Sequence, residues 1–271
     1  MAKRSSAARS GGVRKRALVT GASAGIGAAF AERLAQEQYD LIIVARSRER
    51  LQALARQLQD RHGVRAEPLS ADLTDAAELR VIEEVAAGDD GLELVVNNAG
   101  FGTFGRFGEL DADQEESEIR LNVLALVRLT RAALPGMIAR RQGAIINVSS
   151  MAGFQPAPYN ATYGATKAYV TSFTEALHEE LRGTGVRVQA LCPGFTRTEF
   201  QERAKIDVSS IPSLAWMTPE AVVDASLAAL RRGQVICVPG IGNRLLTALV
   251  GTIPRGIARR VAGSLAKPYV E

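Results

Sequence analysis

The sequence predicts a single α/β domain built on a doubly wound parallel sheet. Three observations carry that expectation. Short apolar runs alternate with helical patterns along residues 14–240. The runs show little polar alternation, as parallel strands buried on both faces do. The first run enters a glycine-rich turn that opens at once into a helical pattern, the way a βαβ unit begins.

In chain order, a strand is expected at Ala17–Thr20 and a helix at Ile26–Gln38. The run Leu41–Ala45 is the second strand, followed by a helical pattern at Arg48–Arg61. A weaker strand falls near Ala66–Leu69, before a helix at Asp75–Ala87. Leu94–Asn97 is the next strand, and a long helical pattern runs over Asp113–Arg140. Ala144–Val148 and Val186–Leu191 read as strands flanking a helix at Tyr163–Arg182. The pattern ends with a helix at Pro219–Arg231 and a strand at Val235–Val238. Neither an internal repeat nor a linker interrupts residues 14–240, which fits one domain.

Composition bounds the function. The 271 residues are 46% hydrophobic and 23% charged, an ordinary globular mixture that excludes wholesale disorder. The formal charge of +4 is unevenly spread. Residues 1–16 and 244–271 together carry a net +10, and the 227 residues between them carry −6. An acidic body argues against nucleic acid as a partner. Residues 1–13 read as a flexible basic tail. Cys192 and Cys237 form no CxxC pair, so neither a disulfide framework nor a metal cluster is expected. With no secretory apolar stretch and no apolar run near ~18 residues, a cytoplasmic protein is expected.

The first turn reads Thr20-Gly21-Ala22-Ser23-Ala24-Gly25-Ile26-Gly27. Glycines between a strand and a helix let the backbone approach a pyrophosphate, and the helix N-terminus supplies unpaired N–H groups. Dinucleotide-binding units of the NAD type place an acid at the end of the second strand. Here that position holds Arg46, with Arg48 two residues on. A guanidinium forks onto a 2′-phosphate that a carboxylate would repel, so NADP(H) is the expected cofactor.

Further motifs follow in order: Asn97–Gly100 reads NNAG, Asn122 lies in LNVLA, and Ser149-Ser150 close INVSS. Tyr163 to Lys167 read YGATK, and Pro193-Gly194 follow the sixth apolar strand. Together these resemble the classical short-chain dehydrogenase/reductase family over roughly residues 14–240. The resemblance implies a Rossmann-type domain with a seven-stranded sheet. It implies hydride transfer between a nicotinamide and a carbonyl or alcohol, with Asn122, Ser150, Tyr163 and Lys167 as the catalytic set. Ser150 is preferred to Ser149 because the family places its serine thirteen residues before the tyrosine. By the same resemblance, Gly21, Ser23, Gly25, Ile26, Gly27, Arg46, Asp72 and Leu73 would bind the cofactor. Asn98, Ala99, Gly100, Tyr163, Lys167, Pro193, Gly194, Thr196 and Thr198 would complete its site, Thr198 on the nicotinamide carboxamide.

The residue types suit that chemistry. Tyr163 and Lys167 are at i and i+4, on one helical face. An ammonium beside a phenol is expected to lower the tyrosine pKa from ~10. Ser150 offers a hydroxyl to the substrate oxygen, and Asn122 would hold a water beside the lysine. His62 and His178 fit no motif, so a hydrolase is a poor reading.

Three segments would shape the pocket. Phe101, Phe104 and Phe107 follow NNAG; Met151, Phe154, Pro156, Pro158 and Tyr159 lie between serine and tyrosine. Phe195, Phe200, Ile211, Leu214, Trp216 and Met217 come after Pro193-Gly194. Eight of the chain's fourteen aromatic residues stand in these segments, which points to a lipophilic carbonyl: fatty-acyl, steroid-like or aryl. Residues 241–271 read as an amphipathic basic extension. Ile253, Ile257, Val261 and Leu265 form one stripe, with Arg255, Arg259 and Arg260 free to point away. It would rest on a membrane through residues 244–266, pack over the substrate loop or join a homo-oligomer. Two alternatives to a lipophilic carbonyl reductase stay open: a non-catalytic NADP(H)-binding regulator or scaffold, and an NAD-dependent alcohol dehydrogenase of the same fold.

Overall fold

A computed structural model describes residues 14–204 and 212–266. The basic tail 1–13 and Ile211 lie outside the described residues. Seven strands form one sheet: β1 Arg16–Thr20, β2 Asp40–Ala45, β3 Ala66–Ser70, β4 Leu92–Asn97, β5 Gly143–Val148, β6 Val186–Leu191 and β7 Ile236–Cys237. Their order is β3-β2-β1-β4-β5-β6-β7, and every pairing is parallel. All strands therefore end on one edge of the sheet.

Successive side chains along a strand point to opposite faces, and both faces are apolar here. Ala17, Val19, Leu41, Ile43, Leu94 and Val96 join one core cluster. Leu18, Ile42, Val44 and Val95 join the other. Helices α1 (Gly25–Gln36), α2 (Arg48–His62) and α8 (Pro219–Arg231) cover the first face with Phe30, Leu34, Leu51, Leu58, Val222 and Leu227. Helices α3 (Ala76–Gly88), α5 (Leu126–Ala139) and α6 (Ala161–Glu180) cover the second with Leu79, Ile82, Leu129, Met137 and Leu177. The result is the three-layer, doubly wound architecture the patterning predicts.

One polar seam crosses the second layer. β4 and β5 pair Asn97 with Asn147. Asn97 Nδ2 donates to Asn147 Oδ1 (2.9 Å) and to Thr130 Oγ1 (3.0 Å), and Asn147 Nδ2 donates to Thr174 Oγ1 (3.0 Å). All four residues are buried.

The long helix departs from its expected form. It runs as α4 (Ala112–Ile119), a π-helical turn at Arg120–Ala125 and then α5. The 28-residue run Ala112–Ala139 is long and apolar enough to cross a membrane by length and composition, contrary to the sequence reading. Half of its most apolar window is buried, through Leu126, Leu129, Ala133 and Met137. The C-terminal stripe is also corrected. Ile253 is the C-cap of α9 (Ile241–Thr252), and Pro254, which cannot continue a helix, separates it from α10 (Arg255–Ala266). The stripe on α10 therefore starts at Ile257.

Candidate active site

The strand order reverses between β1 and β4, and such a switch point opens a crevice at the strand ends. The turn after β1 and the segment Asn98–Gly100 after β4 meet there. Thr20 Oγ1 donates to Val96 O (3.3 Å) and accepts from the backbone N–H groups of Asn98 and Ala99, each at 3.0 Å. Asn98 Nδ2 donates to Thr20 O (2.9 Å) and Gly21 O (3.3 Å). This stapling leaves no room at Gly27: a Cβ there would collide with the Gly21 carbonyl and the Asn98 amide. Gly25, at φ 56°, holds a left-handed conformation, and a Cβ there would sit 2.9 Å from Thr198 Cγ2.

Helices α2, α3, α4 and α8 are capped by Ser47, Asp75, Asp111 and Thr218. Helix α1 begins after Ala24 with no side-chain cap. Its first N–H groups are left to an anion or to water. Arg46 and Arg48 are exposed beyond the end of β2, and neither forms an ion pair among the described residues. Their neighbour Arg50 is engaged by Glu199 at 3.0 Å. A glycine cradle, an uncapped helix and an unpaired guanidinium fit a phosphorylated dinucleotide. Asp72 Oδ1 accepts from Thr74 N (2.9 Å) and Thr74 Oγ1 (2.7 Å) and closes the turn after β3. Leu73 is buried in the second core cluster, so only its backbone can face a ligand.

The four expected catalytic residues come together. Ser150 precedes a short 3₁₀ turn, Met151–Phe154, and its Oγ accepts from Ala152 N (3.1 Å). Tyr163, half-buried on the first turn of α6, hydrogen-bonds to Ser150. Lys167, buried one turn on, places Nζ 5.5 Å from the Tyr163 ring centre and donates to Val148 O (2.9 Å). Asn122 lies in the π turn: its Nδ2 donates to Phe101 O (2.8 Å) and Thr166 Oγ1 (3.2 Å), and its Oδ1 accepts from Phe101 N (3.1 Å). Those bonds leave one lone pair on Oδ1 for a water. A Cβ on Gly100 would lie 2.8 Å from Asn122 Oδ1 and 3.5 Å from Lys167 Nζ, so this glycine sits between the two. Ser149 points the other way: its Oγ donates to Lys167 O (2.8 Å) beside Thr171.

The electrostatics correct one expectation. Burial pushes the Tyr163 phenol up to about 12; the Ser150 bond opposes the rise and the charge of Glu118 adds to it. Burial also pulls Lys167 down to about 8, against the charges of Glu118 and Cys192. Desolvation is the largest cause for both groups, so Tyr163 keeps its proton at neutral pH.

Pro193 O accepts from Met151 N (3.0 Å), and Thr196 Oγ1 donates to Gly194 O (3.1 Å). The segment after β6 is closed by a bridge between Thr196 and Met217. It contains a short helix α7 (Phe200–Arg203), whose Phe200 ring packs 5.4 Å from that of Tyr163. The Phe195 and Trp216 rings meet at a tilt, 5.5 Å between centres. Phe107 and Leu214 instead face solvent. Helix α9 covers the turn after β6, where Asn243 lies 2.8 Å from a Cβ built on Gly194. His62 binds Glu32 at 2.8 Å on the surface of α2, away from the crevice. Three residues beside the site escape sequence reasoning: Thr103, Glu115 and Glu118, all buried. A signal existed for one of them, since Glu118 stands four residues before Asn122 on the same helix.

Residues 15–208 match the family model described as short chain dehydrogenase. A very-long-chain 3-oxoacyl-CoA reductase from Anas platyrhynchos is 34% identical over 218 residues, 78% of this chain and 67% of that relative. Among solved structures, a short-chain dehydrogenase from Sphingobium yanoikuyae in complex with NADPH is 38% identical with a TM-score of 0.80. The match covers 89% of this chain and 97% of that one. A bulky-bulky ketone specific alcohol dehydrogenase from Comamonas testosteroni is 32% identical with a TM-score of 0.77, covering 90% and 96%. With the fold, the ordered motifs and this match in hand, the chain belongs to the short-chain dehydrogenase/reductase family.

Proposed function

We propose that this chain is an NADP(H)-dependent oxidoreductase that reduces the carbonyl of a lipophilic substrate, of fatty-acyl, steroid-like or aryl type. The observation that carries the reading is the meeting of Ser150, Tyr163 and Lys167 beside an uncapped helix and a glycine cradle. The NADPH complex of the Sphingobium relative supports the cofactor, and Arg46 and Arg48 would hold its 2′-phosphate. The names of the duck and Comamonas relatives support a large apolar carbonyl substrate, as do Phe200 against Tyr163 and Phe195 against Trp216.

When bound, the nicotinamide supplies the hydride. The chain's own residues handle position and proton. Ser150 Oγ donates to the carbonyl oxygen as negative charge develops there. Tyr163 Oη, protonated at neutral pH, gives that oxygen its proton. The Lys167 ammonium, beneath the ring, favours the phenolate left behind. A phenol that holds its proton suits reduction better than alcohol oxidation.

The test is NADPH consumption with aryl ketones, steroid ketones and 3-oxoacyl thioesters. Turnover is expected, and Tyr163→Phe should lower kcat/KM by about 10²–10⁴-fold. Cofactor binding without turnover on the whole panel would favour the non-catalytic reading, and preference for NADH would favour the NAD-dependent one.

We propose in addition that the enzyme is a cytoplasmic homo-oligomer resting on a membrane surface. Exposed Ile119 and Leu124 on the long helix and Tyr169 on the neighbouring α6 support docking of a second copy. Exposed Ile241, Leu245 and Leu249 on α9, with Ile257 and Val261 on α10, support membrane contact.

A further inference from the structure

The hydroxyl of Thr103 lies between two buried carboxyl groups. Its Oγ1 is 3.0 Å from Glu118 Oε2 and within hydrogen-bond distance of Glu115 Oε1. Thr103 N also donates to Glu118 Oε2 at 2.9 Å. Glu115 Oε2 accepts from Thr162 Oγ1 at the start of α6. The other oxygen of Glu118, Oε1, is buried without a hydrogen-bond partner, and the residue is 0% exposed.

A hydroxyl carries one hydrogen. It can donate to one of the two carboxyl groups, and the second contact then needs a proton on the other. Two ionised carboxylates around one buried hydroxyl would repel each other with no water to screen them. The arrangement therefore calls for one proton, and Glu118, raised by burial, is the group that holds it.

The segment held in this way is the wall over the reacting tyrosine. A Cβ on Gly102 would meet the Tyr163 ring at 2.8 Å. Asn160 Nδ2 donates to Thr103 O, and Gly105 N donates to Tyr159 O (2.8 Å). Phe101 is fixed on its other side by Asn122. The loop 101–105 is thus pinned at its centre by α4 and at its flanks by its neighbours.

We propose that Glu118 and Glu115 form a one-proton clamp on Thr103 that fixes the loop 101–105 against Tyr163, which makes Glu118 a positioning residue for the substrate wall. The role of the wall rests on reading Tyr163 as the proton donor; the clamp itself does not. Burial raises Glu118 to about 7; its bonds from Thr103 oppose the rise, Glu115 adds to it and Lys167 reduces it. Besides Thr103, the groups facing Glu118 are thus Glu115 on its own helix and Lys167 and Tyr163 on α6. Near neutral pH the proton leaves, the two carboxylates repel and the loop loosens.

The experiment uses the full chain without added ligand. Infrared spectra are recorded through a pH titration, and amide hydrogen exchange is followed in residues 101–105. Wild type should show a neutral carboxylic acid that persists well above pH ~4.5 and ionises near neutrality. Exchange in the loop should speed up over the same range, beyond its chemical pH dependence. Glu118→Gln keeps a neutral group with a donor and an acceptor. It should remove the infrared signal and flatten the pH dependence of exchange. At saturating cofactor, it should also flatten the pH dependence of KM and leave kcat within about threefold. Absence of the neutral-acid signal in wild type overturns the clamp, and so does an unchanged exchange profile in Glu118→Gln. Neither result depends on turnover, so loss of the catalytic reading would be seen separately.

Discussion

Arg46 is a cation at a strand end with no carboxylate to neutralise it among the described residues. Arg46→Ala should weaken NADPH binding roughly 10- to 100-fold, the range for one charged hydrogen bond, and leave NADH binding nearly unchanged. Titration calorimetry with both nucleotides measures the difference. Lys167 sets a pH limit. Its folded pKa of about 8 lies below the ordinary 10.5, so the ammonium is present below about 8 and lost above it. Reductase kcat/KM should therefore decline as pH rises through about 8, read from a pH–rate profile. At this scale the motif residues were legible because their order along the chain is specific. Glu115 and Glu118 were not. They sit in Asp111–Glu118, an acid-rich stretch that reads as a solvated helix face. Only packing shows that these two turn inward while Asp113 and Glu116 stay exposed. The lysine–tyrosine pair was legible as a pair, but the direction of its shift depended on burial, which spacing does not report.

At the scale of elements, helix α1 and its turn act as one part. Gly27→Ala puts a methyl group into the Gly21 carbonyl and the Asn98 amide, which are bonded to each other, the amide being held also by Thr20 O. The backbone has to shift, which typically costs about 1–3 kcal/mol. Nucleotide binding should fall steeply while the far-ultraviolet spectrum stays native; a urea melt and a binding titration check the two effects. Strand and helix positions were readable from apolar period. The π turn was not, since an i→i+5 ladder has no composition of its own. Nor was the break at Ile253-Pro254, because the stripe spaced by four ran through it; the proline was the stronger signal.

Across the whole molecule, basic charge and exposed apolar surface coincide at the C-terminal helices. Residues 240–266 contain Arg244, Arg255, Arg259 and Arg260 and no acid. Vesicles containing phosphatidylserine should bind the protein more than neutral vesicles do, and less at high salt. Leu245→Asp with Leu249→Asp should reduce the bound fraction about tenfold in co-sedimentation, with activity on a soluble ketone retained. The doubly wound class was legible from alternation alone. The seven strands were legible as well, six as apolar runs and one as the weaker run near Ala66–Leu69, although β7 shrank from Val235–Val238 to two residues.

The buried amides of β4 and β5 bear on how the chain finds this arrangement. The Asn97 Nδ2 and Asn147 Nδ2 donors find their partners in Asn147, Thr130 and Thr174 only when the two strands align as they do. A slip of one residue would turn an amide out of its partner's reach and into an aliphatic layer, at about 1–3 kcal/mol for each group stranded. Valine and isoleucine neighbours would accept several alignments equally well. The asparagine pair works as an indexing pin at the centre of the sheet. It penalises misaligned intermediates during folding and adds little to the strength of the finished structure.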